Sequence, residues 1–422
     1  MNLTRHRGLA RRMLARTGSR SSSKWVRMQI LFCNYEYPPI GGGGGVVMAA
    51  MAAELARRGH DITVLTSRAF GLPADSIEDG VRVVRVPVFF RRQLAVANIP
   101  SMAAYLPLGL WRGLKLGRGR PFDVINTHFV VPSGPLGLWL SRRLQIPNVL
   151  SVHGGDLYDP SKPTSPHRHA FLRGPIANML TRADAVVAQS RDTAANVARI
   201  YGVERPVELV PLGIARPPAK VVSHRATFGI PDSAFVMTTV GRLVARKATP
   251  QLVQVLAAAK QRDIYLLVVG DGPDAAEIQR AAMELGVAER VKLLGHVTER
   301  QKYAALSLSD IFVSTSQHEG FGLVFLEAMA FGLPVVCYDR GGQVDFLATP
   351  TTGAVIRLND VAAFTRAVLD LHASPERRAE IRRHNLAAVE TYFIDRCARR
   401  YEAIFERAIL ARAGALEPAR QK

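Results

Sequence analysis

Short runs of apolar residues alternate with longer segments of mixed apolar and polar residues from Met28 almost to the end of the chain. The apolar runs are rich in Val, Ile and Leu, which favours buried strands. The mixed segments carry apolar residues at helical spacing, and one ends at Gly59, a residue type that commonly follows a helix. This alternation predicts a parallel sheet covered by helices on both faces. The predicted strands are 29–34, 62–66, 81–88, 123–128, 148–153, 185–190, 235–240, 265–270, 290–294, 310–316 and 334–338, and the clearest predicted helices are 46–58 and 191–201.

A segment rich in proline, residues 211–218, divides this alternation into two halves. The chain has 422 residues, whereas single cores stop growing near ~250–300 residues, so we expect two doubly wound α/β domains. Open sheets of this type bind ligands at the carboxyl ends of their strands, and we expect the two domains to face each other across a cleft. The predicted divisions are an N-terminal extension at 1–27, a first domain at 28–214, a second domain at 215–390 and a C-terminal helix at 391–422.

The formal net charge of +20 is unevenly distributed. Residues 1–27 contain eight Lys or Arg residues and no acidic residue, and residues 80–122 contain eight more, again without an acid. Patches of this kind indicate an anionic partner, which is a nucleic acid, an anionic lipid or a phosphorylated substrate. No nucleic-acid recognition motif accompanies the charge, so we expect no nucleic-acid partner.

Residues 1–27 allow three interpretations: a disordered basic arm, a start codon assigned too far upstream, or a targeting peptide that lacks the apolar core of a secretory signal. No apolar run reaches the ~18–20 residues of a membrane span. Cys33, Cys337 and Cys397 lack metal-ligand spacing and are interpreted as reduced thiols. These features predict a cytoplasmic protein.

The segment from Glu319 to Glu327 follows the predicted strand 310–316 and runs into a helix. A helix start presents unpaired N–H groups and the positive end of a dipole, so it suits an anion such as a diphosphate. The two carboxylates suit sugar hydroxyls, because an ionised carboxylate accepts several hydrogen bonds. The pattern therefore indicates a phosphate linked to a polyol. The alternative is that both glutamates are solvated helix residues.

Three further turns between a strand and a helix suit a phosphate. The five glycines at 41–45 allow close approach of the backbone, although no acidic ribose ligand follows the second strand, which argues against a dinucleotide site. Arg242 and Lys247 follow the first strand of the second domain and can neutralise a leaving diphosphate. The third turn is 270–273. Each signal is weak alone, since a flexible turn or solvated loop charges give the same pattern.

His153 and Asp156 lie just past a predicted strand, where His153 is able to donate to a sugar hydroxyl and Asp156 to accept from one. His128 ends the preceding strand and is a weaker candidate. A structural role is the alternative for each of these residues. The chain contains no D-x-D, so a diphosphate leaving group would depend on cationic side chains and a helix dipole rather than on a paired-aspartate metal site. It also contains no G-x-S-x-G, which argues against serine hydrolase chemistry.

Taken in order, five motifs resemble the GT-B-fold retaining glycosyltransferases of family 4, the glycogen-synthase-like group. The resemblance extends from Met28 to about Ile409, and only the ordered set is specific. The motifs are Pro39-Ile40-Gly41-Gly42 with Arg58-Gly59-His60, His153-Gly154-Gly155-Asp156, Val240-Gly241-Arg242-Leu243 with Lys247, Val269-Gly270-Asp271-Gly272-Pro273, and Glu319 to Glu327 with Gly341-Gly342.

The resemblance implies a role for each matched residue. Arg242 and Lys247 would hold the donor diphosphate, Glu319 and His153 would contact the donor sugar, and Glu327 would hold the nucleotide ribose. The implied catalytic set is His153, Arg242, Lys247 and Glu319. The implied donor-binding residues are Gly42, Gly43, Gly270, Asp271, Gly272, Phe321, Gly322, Leu323 and Glu327. The residues expected on the acceptor side are His128 and Asp156.

Two positions depart from the family pattern. Ala248 stands where a glycine often follows the lysine, and Asp345 replaces a common glutamate. Neither change removes a charged contact to the donor. The resemblance therefore implies an enzyme that transfers a hexose from a nucleotide sugar, a UDP- or GDP-sugar, with retention and with no metal or other cofactor. The first domain would bind the acceptor and the second the donor.

The acid-free stretch 80–122 interleaves its cations with aromatic and aliphatic residues, a combination that suits an anionic membrane surface. We expect peripheral docking at the inner face of the plasma membrane and a lipid-linked or polysaccharide-precursor acceptor. A solvated basic face around a soluble acceptor is the alternative, and a non-catalytic nucleotide-sugar or polyanion binder is the second functional class. The apolar members of the stretch are Phe89, Phe90, Leu94, Tyr105, Leu108, Leu110, Trp111 and Leu114.

Overall fold

The computed structural model describes residues 26–89, 98–160, 162, 164–221 and 223–415. It divides into two compact units: the first comprises the chain up to Gly213 together with the segment from Ile394, and the second comprises Ile214–Phe393. The predicted N-terminal extension lies almost entirely outside the described residues.

The first unit is built on a sheet that has eight strands among the described residues, in the order β3-β4-β2-β1-β5-β6-β7-β8. All neighbours pair in parallel except β3, which runs antiparallel to β4 at one edge. The central strands are buried along their whole length, as expected for a sheet covered on both faces. The strands are β1 Gln29–Cys33, β2 Asp61–Arg68, β3 Asp75–Glu78, β4 Val81–Pro87, β5 Val124–His128, β6 Asn148–Val152, β7 Ala185–Ala188 and β8 Glu208–Leu209.

The helices of the first unit connect these strands, and the last helix of the chain returns to the same sheet. Helix α12 packs its buried face against α1 and the central strands within one apolar cluster. Its Glu402 is fully buried and accepts two hydrogen bonds from the Arg58 guanidinium at 2.6 and 2.7 Å and one from His60 at 2.9 Å. The helices are α1 Gly43–Arg57, α2 Ile99–Gly119, α3 Ser133–Leu144, α4 Ala170–Arg182, α5 Arg191–Tyr201 and α12 Ile394–Ala415.

The second unit has a wholly parallel sheet, with six strands among the described residues in the order β11-β10-β9-β12-β13-β14. The order reverses at β9, so the ends of β9 and β12 mark the switch point at which such sheets bind ligands. Its elements are β9 Phe235–Val240, α6 Pro250–Ala259, β10 Ile264–Val269, α7 Ala275–Glu284, β11 Val291–Leu293, α8 Glu299–Ser307, β12 Ile311–Ser314, α9 Leu323–Ala330, β13 Val335–Tyr338, β14 Gly353–Ile356, α10 Val361–Ala373 and α11 Pro375–Ala388.

The predicted α/β class with two parallel sheets is confirmed, and the remaining differences are local. The predicted helix 46–58 begins earlier, at Gly43, so α1 starts inside the run of glycines. Strand β3 was not predicted, because its sequence Asp-Ser-Ile-Glu is too polar and too short to stand out from a loop.

Helix α2, with 21 residues, occupies about half of the basic stretch 80–122 that the sequence suggests for membrane docking. Its Tyr105 is fully buried and donates to the Leu65 carbonyl at 2.8 Å, while Leu108, Leu110 and Leu114 pack against the core of the first unit. Phe90 and Leu94 lie outside the described residues, whereas Phe89 and Trp111 are exposed. Within the described part of the chain, no helix is long and apolar enough to cross a membrane.

Candidate active site

The carboxyl ends of β9 and β12 bring the predicted catalytic residues of the second unit together. The turn after β9 carries Arg242 and Lys247, and both side chains line one small pocket with Ser314 at the end of β12. Lys247 lies beside the turn itself, since a Cβ built on Gly241 would be 3.7 Å from its Nζ. Two cationic residues therefore border the same pocket at the carboxyl end of β9.

Glu319 is buried beside Lys247 and Arg246. One carboxylate oxygen pairs with the Lys247 ammonium, and the other lies 3.4 Å from the Arg246 guanidinium. Burial by itself would raise the pKa of Glu319, but the charges of Lys247 and Arg246 outweigh it and hold the pKa at about 2. The side chain is therefore a carboxylate throughout the working range of an enzyme, and it is an acceptor rather than an acid.

Backbone pairing fixes Glu319 in place. Its N–H donates to the Arg340 carbonyl at 3.1 Å, and its carbonyl accepts from Gly342 at 2.8 Å. A Cβ on Gly341 would lie 1.9 Å from the Glu319 carbonyl oxygen, so only glycine fits at this contact. The double glycine noted in the sequence thus clamps the segment that carries the glutamate.

Helix α9 begins at Leu323, directly after this segment. Its N-cap Gly322 has φ 92° and makes no side-chain capping bond, and a Cβ there would collide with the Phe325 ring. Among the residues that the structure describes, the N–H groups of Phe321, Gly322 and Leu323 donate to no other backbone group. These groups are available to an anion at the positive end of the helix dipole.

A cavity of about 260 Å³ opens beside Arg242 and is lined by Gly270, Asp271 and Lys302. Lys302 donates to Glu327 at 2.8 Å. Burial raises the pKa of Glu327, and the Lys302 charge offsets part of that rise. The cavity is therefore bounded by Arg242 and by two of the predicted donor-binding residues, Gly270 and Asp271, together with a lysine that the sequence did not indicate.

Some of the predicted donor residues are already engaged with the backbone. The Asp271 carboxylate accepts from the N–H of Gly272 at 2.8 Å, and the Asp271 carbonyl accepts from Leu243 at 2.9 Å. The first bond lies within the turn after β10, and the second holds that turn against the turn after β9. Asp271 thus shapes the wall of the cavity through its own turn.

The first unit holds the remaining predicted residues at the ends of β5 and β6. His153 Nε2 lies 2.9 Å from His128 Nδ1, and both rings are buried. Burial lowers the pKa of His153 to about 4, and burial together with the neighbouring ring lowers the pKa of His128 well below its usual value. Both histidines are neutral at physiological pH.

Asp156 holds the loop after β6 in place. One oxygen accepts from the His153 N–H at 2.8 Å and the other from the Val130 N–H at 2.7 Å. Burial raises the pKa of Asp156 to about 6, against the effect of these bonds. Since both oxygens are occupied by backbone donors, the carboxylate positions His153.

The Phe129 ring lies between the glycine turn and His153. The Phe129 ring stacks on His153 with centroids 4.3 Å apart, and a Cβ on Gly44 would lie 2.4 Å from the same ring. The N–H of Gly42 donates to the Glu36 carboxylate at 3.3 Å, while Gly43 faces open space. A carboxylate at this helix start opposes a phosphate, so the turn suits a neutral, hydroxyl-bearing group better.

Four side chains at these sites were missed by the sequence analysis. Arg246 and Lys302 pair with the two glutamates, and Glu36 and Phe129 border the glycine turn. Phe129 also has φ 67°, which is uncommon for a residue other than glycine. No three His, Cys, Asp or Glu side chains in the described part of the chain cluster closely enough to hold a metal ion.

Two protein-family models match the chain. The model described as Glycosyltransferase Family 4 matches residues 41–216, and the model described as Glycosyl transferases group 1 matches residues 223–386. Together the two matches cover both units.

Curated relatives and solved structures agree with these matches. A GDP-mannose-dependent alpha-mannosyltransferase of Mycolicibacterium smegmatis is 32% identical, over 85% of this chain and 93% of the relative. A GDP-mannose-dependent alpha-(1-6)-phosphatidylinositol monomannoside mannosyltransferase of the same organism is 29% identical, over 83% and 91%. The structure of sucrose-phosphate synthase from Thermosynechococcus elongatus superposes with a TM-score of 0.76 at 21% identity and covers 91% of this chain and 100% of that one.

Proposed function

The chain belongs to glycosyltransferase family 4, the group 1 glycosyltransferases of GT-B fold that use nucleotide sugars, and from this premise we propose that it transfers a hexose from a UDP- or GDP-sugar to an acceptor hydroxyl with retention at the anomeric carbon. GDP-mannose is the first donor to test, because the names of two relatives specify it. No metal or other cofactor enters the proposal.

One observation carries the proposal: the cations of the turn after β9, the buried Glu319 and the start of α9 meet at the switch point of the second sheet. Arg242 and Lys247 supply positive charge there, and the free N–H groups at Leu323 add the helix dipole. Glu319 supplies an acceptor for sugar hydroxyls. A sugar linked to a diphosphate matches all three groups at once.

This arrangement suits a transferase that acts by stabilising its leaving group. The bond between the anomeric carbon and the diphosphate oxygen breaks with its electron pair passing to the oxygen. The acceptor hydroxyl oxygen bonds to the carbon on the same face, and its proton passes to the departing diphosphate. Negative charge grows on the diphosphate, where Arg242, Lys247 and the helix start are already oriented. Such preorganised groups are effective because they need no rearrangement when the charge develops.

A donor screen tests the proposal. The purified chain is incubated with UDP-, GDP- and ADP-sugars, and release of the nucleoside diphosphate is measured with and without sugar and lipid acceptors. We expect turnover with a hexose of one nucleotide class. Arg242→Ala should lower kcat/KM by roughly 10²–10³-fold, the usual loss for one preorganised contact.

Arg280 on α7 is exposed and provides the matched control, since Arg280→Ala removes the same charge elsewhere on the second unit. We expect this variant to retain normal turnover. Near-normal turnover of Arg242→Ala would argue against the assignment, and so would an absence of release with every donor.

For the acceptor, we propose a lipid-linked or polysaccharide-precursor hydroxyl presented at an anionic membrane surface. Helix α2 supports this with one exposed stripe that begins apolar and becomes cationic, because Ile99, Pro107 and Trp111 are followed by Lys115 and Arg118. Exposed aromatic and basic residues on one helix face suit an interfacial position. The name of one relative specifies a phosphatidylinositol mannoside.

Vesicle sedimentation tests the membrane proposal. We expect the chain to sediment with vesicles that contain an anionic lipid and to remain largely in the supernatant with neutral ones. The double variant Trp111→Ser and Lys115→Ser should weaken sedimentation, whereas Arg182→Ser on α4, also exposed, should not. Equal binding to neutral and anionic vesicles would contradict the proposal.

A further inference from the structure

A chain of buried side-chain hydrogen bonds ends at His153 in the first unit. His153 Nε2 lies 2.9 Å from His128 Nδ1, and His128 Nε2 lies 2.7 Å from Asn126 Oδ1. The amide nitrogen of Asn126 donates to the Val149 carbonyl at 3.0 Å and to Ser151 Oγ at 2.9 Å. Each bond crosses between neighbouring strands or along β5, so the chain is part of the rigid sheet.

The Val149 carbonyl at one end of this chain determines which atom donates in each hydrogen bond. A backbone carbonyl only accepts, so the Val149 oxygen determines which atom of the Asn126 amide is the nitrogen, and the amide oxygen must face His128. His128 therefore carries its proton on Nε2. Because this buried ring is neutral, its Nδ1 is a lone pair, and His153 must donate to it from Nε2.

The other ring nitrogen of His153, Nδ1, depends on Gln189. Gln189 donates from its amide nitrogen to the His153 carbonyl at 2.6 Å, so its amide oxygen is an acceptor. Gln189 Oε1 and His153 Nδ1 are both buried, and neither makes a hydrogen bond of normal geometry within the described residues. A proton on Nδ1 would allow a bond to Gln189, but it would have to come from Nε2, where His128 requires it.

We infer that Asn126 and His128 are positioning residues that hold His153 in the tautomer with its proton on Nε2 and a lone pair on Nδ1. The inference rests on the proposed function, for which the resemblance implies a contact between His153 and the donor sugar. In this tautomer the Nε2 proton is donated to His128, and Nδ1 is a buried lone pair. The ring therefore has no proton left to donate to a sugar hydroxyl, the role that the sequence analysis expected of His153.

The C-terminal helix closes the other end of the chain of hydrogen bonds. The Tyr401 hydroxyl donates to Ser151 Oγ at 3.0 Å, and its ring stacks on that of His128 with centroids 6.4 Å apart. Phe32 stacks on His128 as well, at 5.5 Å. Packing against two aromatic rings restricts the His128 ring from turning to another partner.

Nitrogen NMR of the full chain, with ¹⁵N-labelled histidine at neutral pH, reads the tautomer directly. The resonances of His128 and His153 are assigned by loss of signal in His128→Phe and His153→Phe. We expect both rings to be neutral with the proton on Nε2. A proton on Nδ1 of His153, or a doubly protonated ring, overturns the inference.

His128→Phe tests the positioning role, because phenylalanine keeps the ring stacking but removes the acceptor. We expect the His153 proton to move to Nδ1, where Gln189 Oε1 accepts it. Thr127→Val is the matched control: Thr127 is a buried polar residue between Asn126 and His128, but it bonds Asn148 instead, so the variant should leave the tautomer unchanged. An unshifted tautomer in His128→Phe overturns the inference.

Asn126 provides a second test in case His128→Phe fails to fold. Asn126→Asp retains an oxygen that accepts from His128 and should preserve the His153 tautomer, whereas Asn126→Leu removes it and should allow both tautomers. The same result from both variants overturns the inference.

Activity then separates the inference from the proposed function. If a donor is found, His128→Phe should lower kcat more than it raises the KM for the donor, because the diphosphate contacts are intact. A chain that transfers no sugar but shows the expected tautomers refutes the proposed function alone. Expected tautomers with unchanged kcat in His128→Phe refute the positioning role alone.

Discussion

Glu319 is both buried and ionised, two properties that conflict unless the carboxylate has a partner. A buried carboxylate is costly unless it is paired, and this one is paired with Lys247 and Arg246. The same pairing keeps the carboxylate ionised and fixes Lys247 and Arg246 beside it. The ion pairs therefore hold the site in shape.

Glu319→Gln tests this view, because glutamine keeps the size of the side chain and removes its charge. We expect kcat/KM for the donor to fall by roughly 10²–10³-fold, since the sugar loses a charged acceptor and the two cations lose their counter-charge. The measurement is the initial rate of nucleoside diphosphate release over a range of donor concentrations.

Glu277→Gln on α7 is the matched control, because Glu277 is an exposed glutamate of the same unit, and its turnover should be normal. Unimpaired turnover of Glu319→Gln would remove Glu319 from the donor site.

The buried histidines also predict how stability depends on pH. The pKa of His153 falls from about 6.5 to about 4 on folding, so its contribution to stability is present above pH 6.5 and is lost as the pH falls through about 4. The pKa of His128 falls well below its usual value, so its contribution has the same sign. The pKa of Asp156 rises to about 6, so its contribution has the opposite sign: it is present below the unfolded pKa near 3.8 and is lost as the pH rises through about 6.

Two histidines outweigh one aspartate, so we expect the free energy of unfolding to fall between pH 6.5 and pH 4, as measured by urea denaturation at several pH values. In His153→Phe the decrease should be smaller. In Asp156→Asn it should be larger, because the opposing contribution is gone. A decrease that is the same in all three proteins would contradict the pKa directions assigned to these side chains.

The sequence indicated most of the charged residues of the site but few of their partners. Arg242, Lys247 and Glu319 stand at turn positions that pattern and resemblance both identify. Arg246 and Lys302 pair with glutamates some 73 and 25 residues away along the chain, and no local pattern reports such distances. The orientation of the His153 ring likewise depends on neighbouring strands.

At the scale of elements, helix α2 packs closely on α3 through three glycines, a contact that the sequence pattern does not predict. Gly109, Gly113 and Gly117 line the buried face of α2, and a Cβ on each would lie 2.8 Å from a leucine of α3. Glycine is otherwise unfavourable inside a helix, by ~1 kcal/mol relative to alanine. The close approach explains why three glycines recur here at helical spacing.

Gly113→Val should therefore destabilise the protein by about 1–3 kcal/mol, the usual cost of overpacking, because the new side chain meets Leu140 and Leu65. The double variant with Leu140→Ala should recover part of the loss, since it removes one obstacle. Ala103→Val on the exposed face of the same helix is the control for β-branching. Urea denaturation measures all of them, and equal stability of Gly113→Val and Ala103→Val would disprove the packing argument.

Elements with a clear period were predicted well, and elements set by tertiary contacts were not. The strand 235–240 and the helix 191–201 were predicted with the bounds they have, because apolar periodicity and caps define both. Helix α1 begins three residues before the predicted start, since glycines carry no helical signal. At this helix start the Glu36 carboxylate contacts Gly42 and the Phe129 ring contacts Gly44. Neither residue belongs to the helix, so the helical pattern does not reveal these contacts.

At the scale of the whole molecule, the two units differ in how the chain builds them. The first unit takes part of its core from the far end of the sequence: Tyr401, Phe405 and Ile409 are buried in the same cluster as β1 and α1. The second unit is one continuous segment whose ends meet, because Ile214 pairs with Phe393 in a parallel bridge. A guanidinium beside this bridge, that of Arg216, lies 3.9 Å from the Phe393 ring centroid.

This difference predicts that the second unit folds alone and that the first does not fold without the C-terminal helix. A chain of residues 214–393 retains its whole apolar cluster and should unfold cooperatively in urea. A chain of residues 26–213 lacks α12, so Glu402 no longer neutralises Arg58 and the apolar face of α1 is uncovered. This fragment should show no cooperative transition.

Adding a peptide of residues 394–415 should restore a cooperative transition to the fragment 26–213, and a peptide with Tyr401 and Phe405 both changed to Ser should not. Cooperative unfolding of 26–213 by itself would show that α12 is dispensable to the first core.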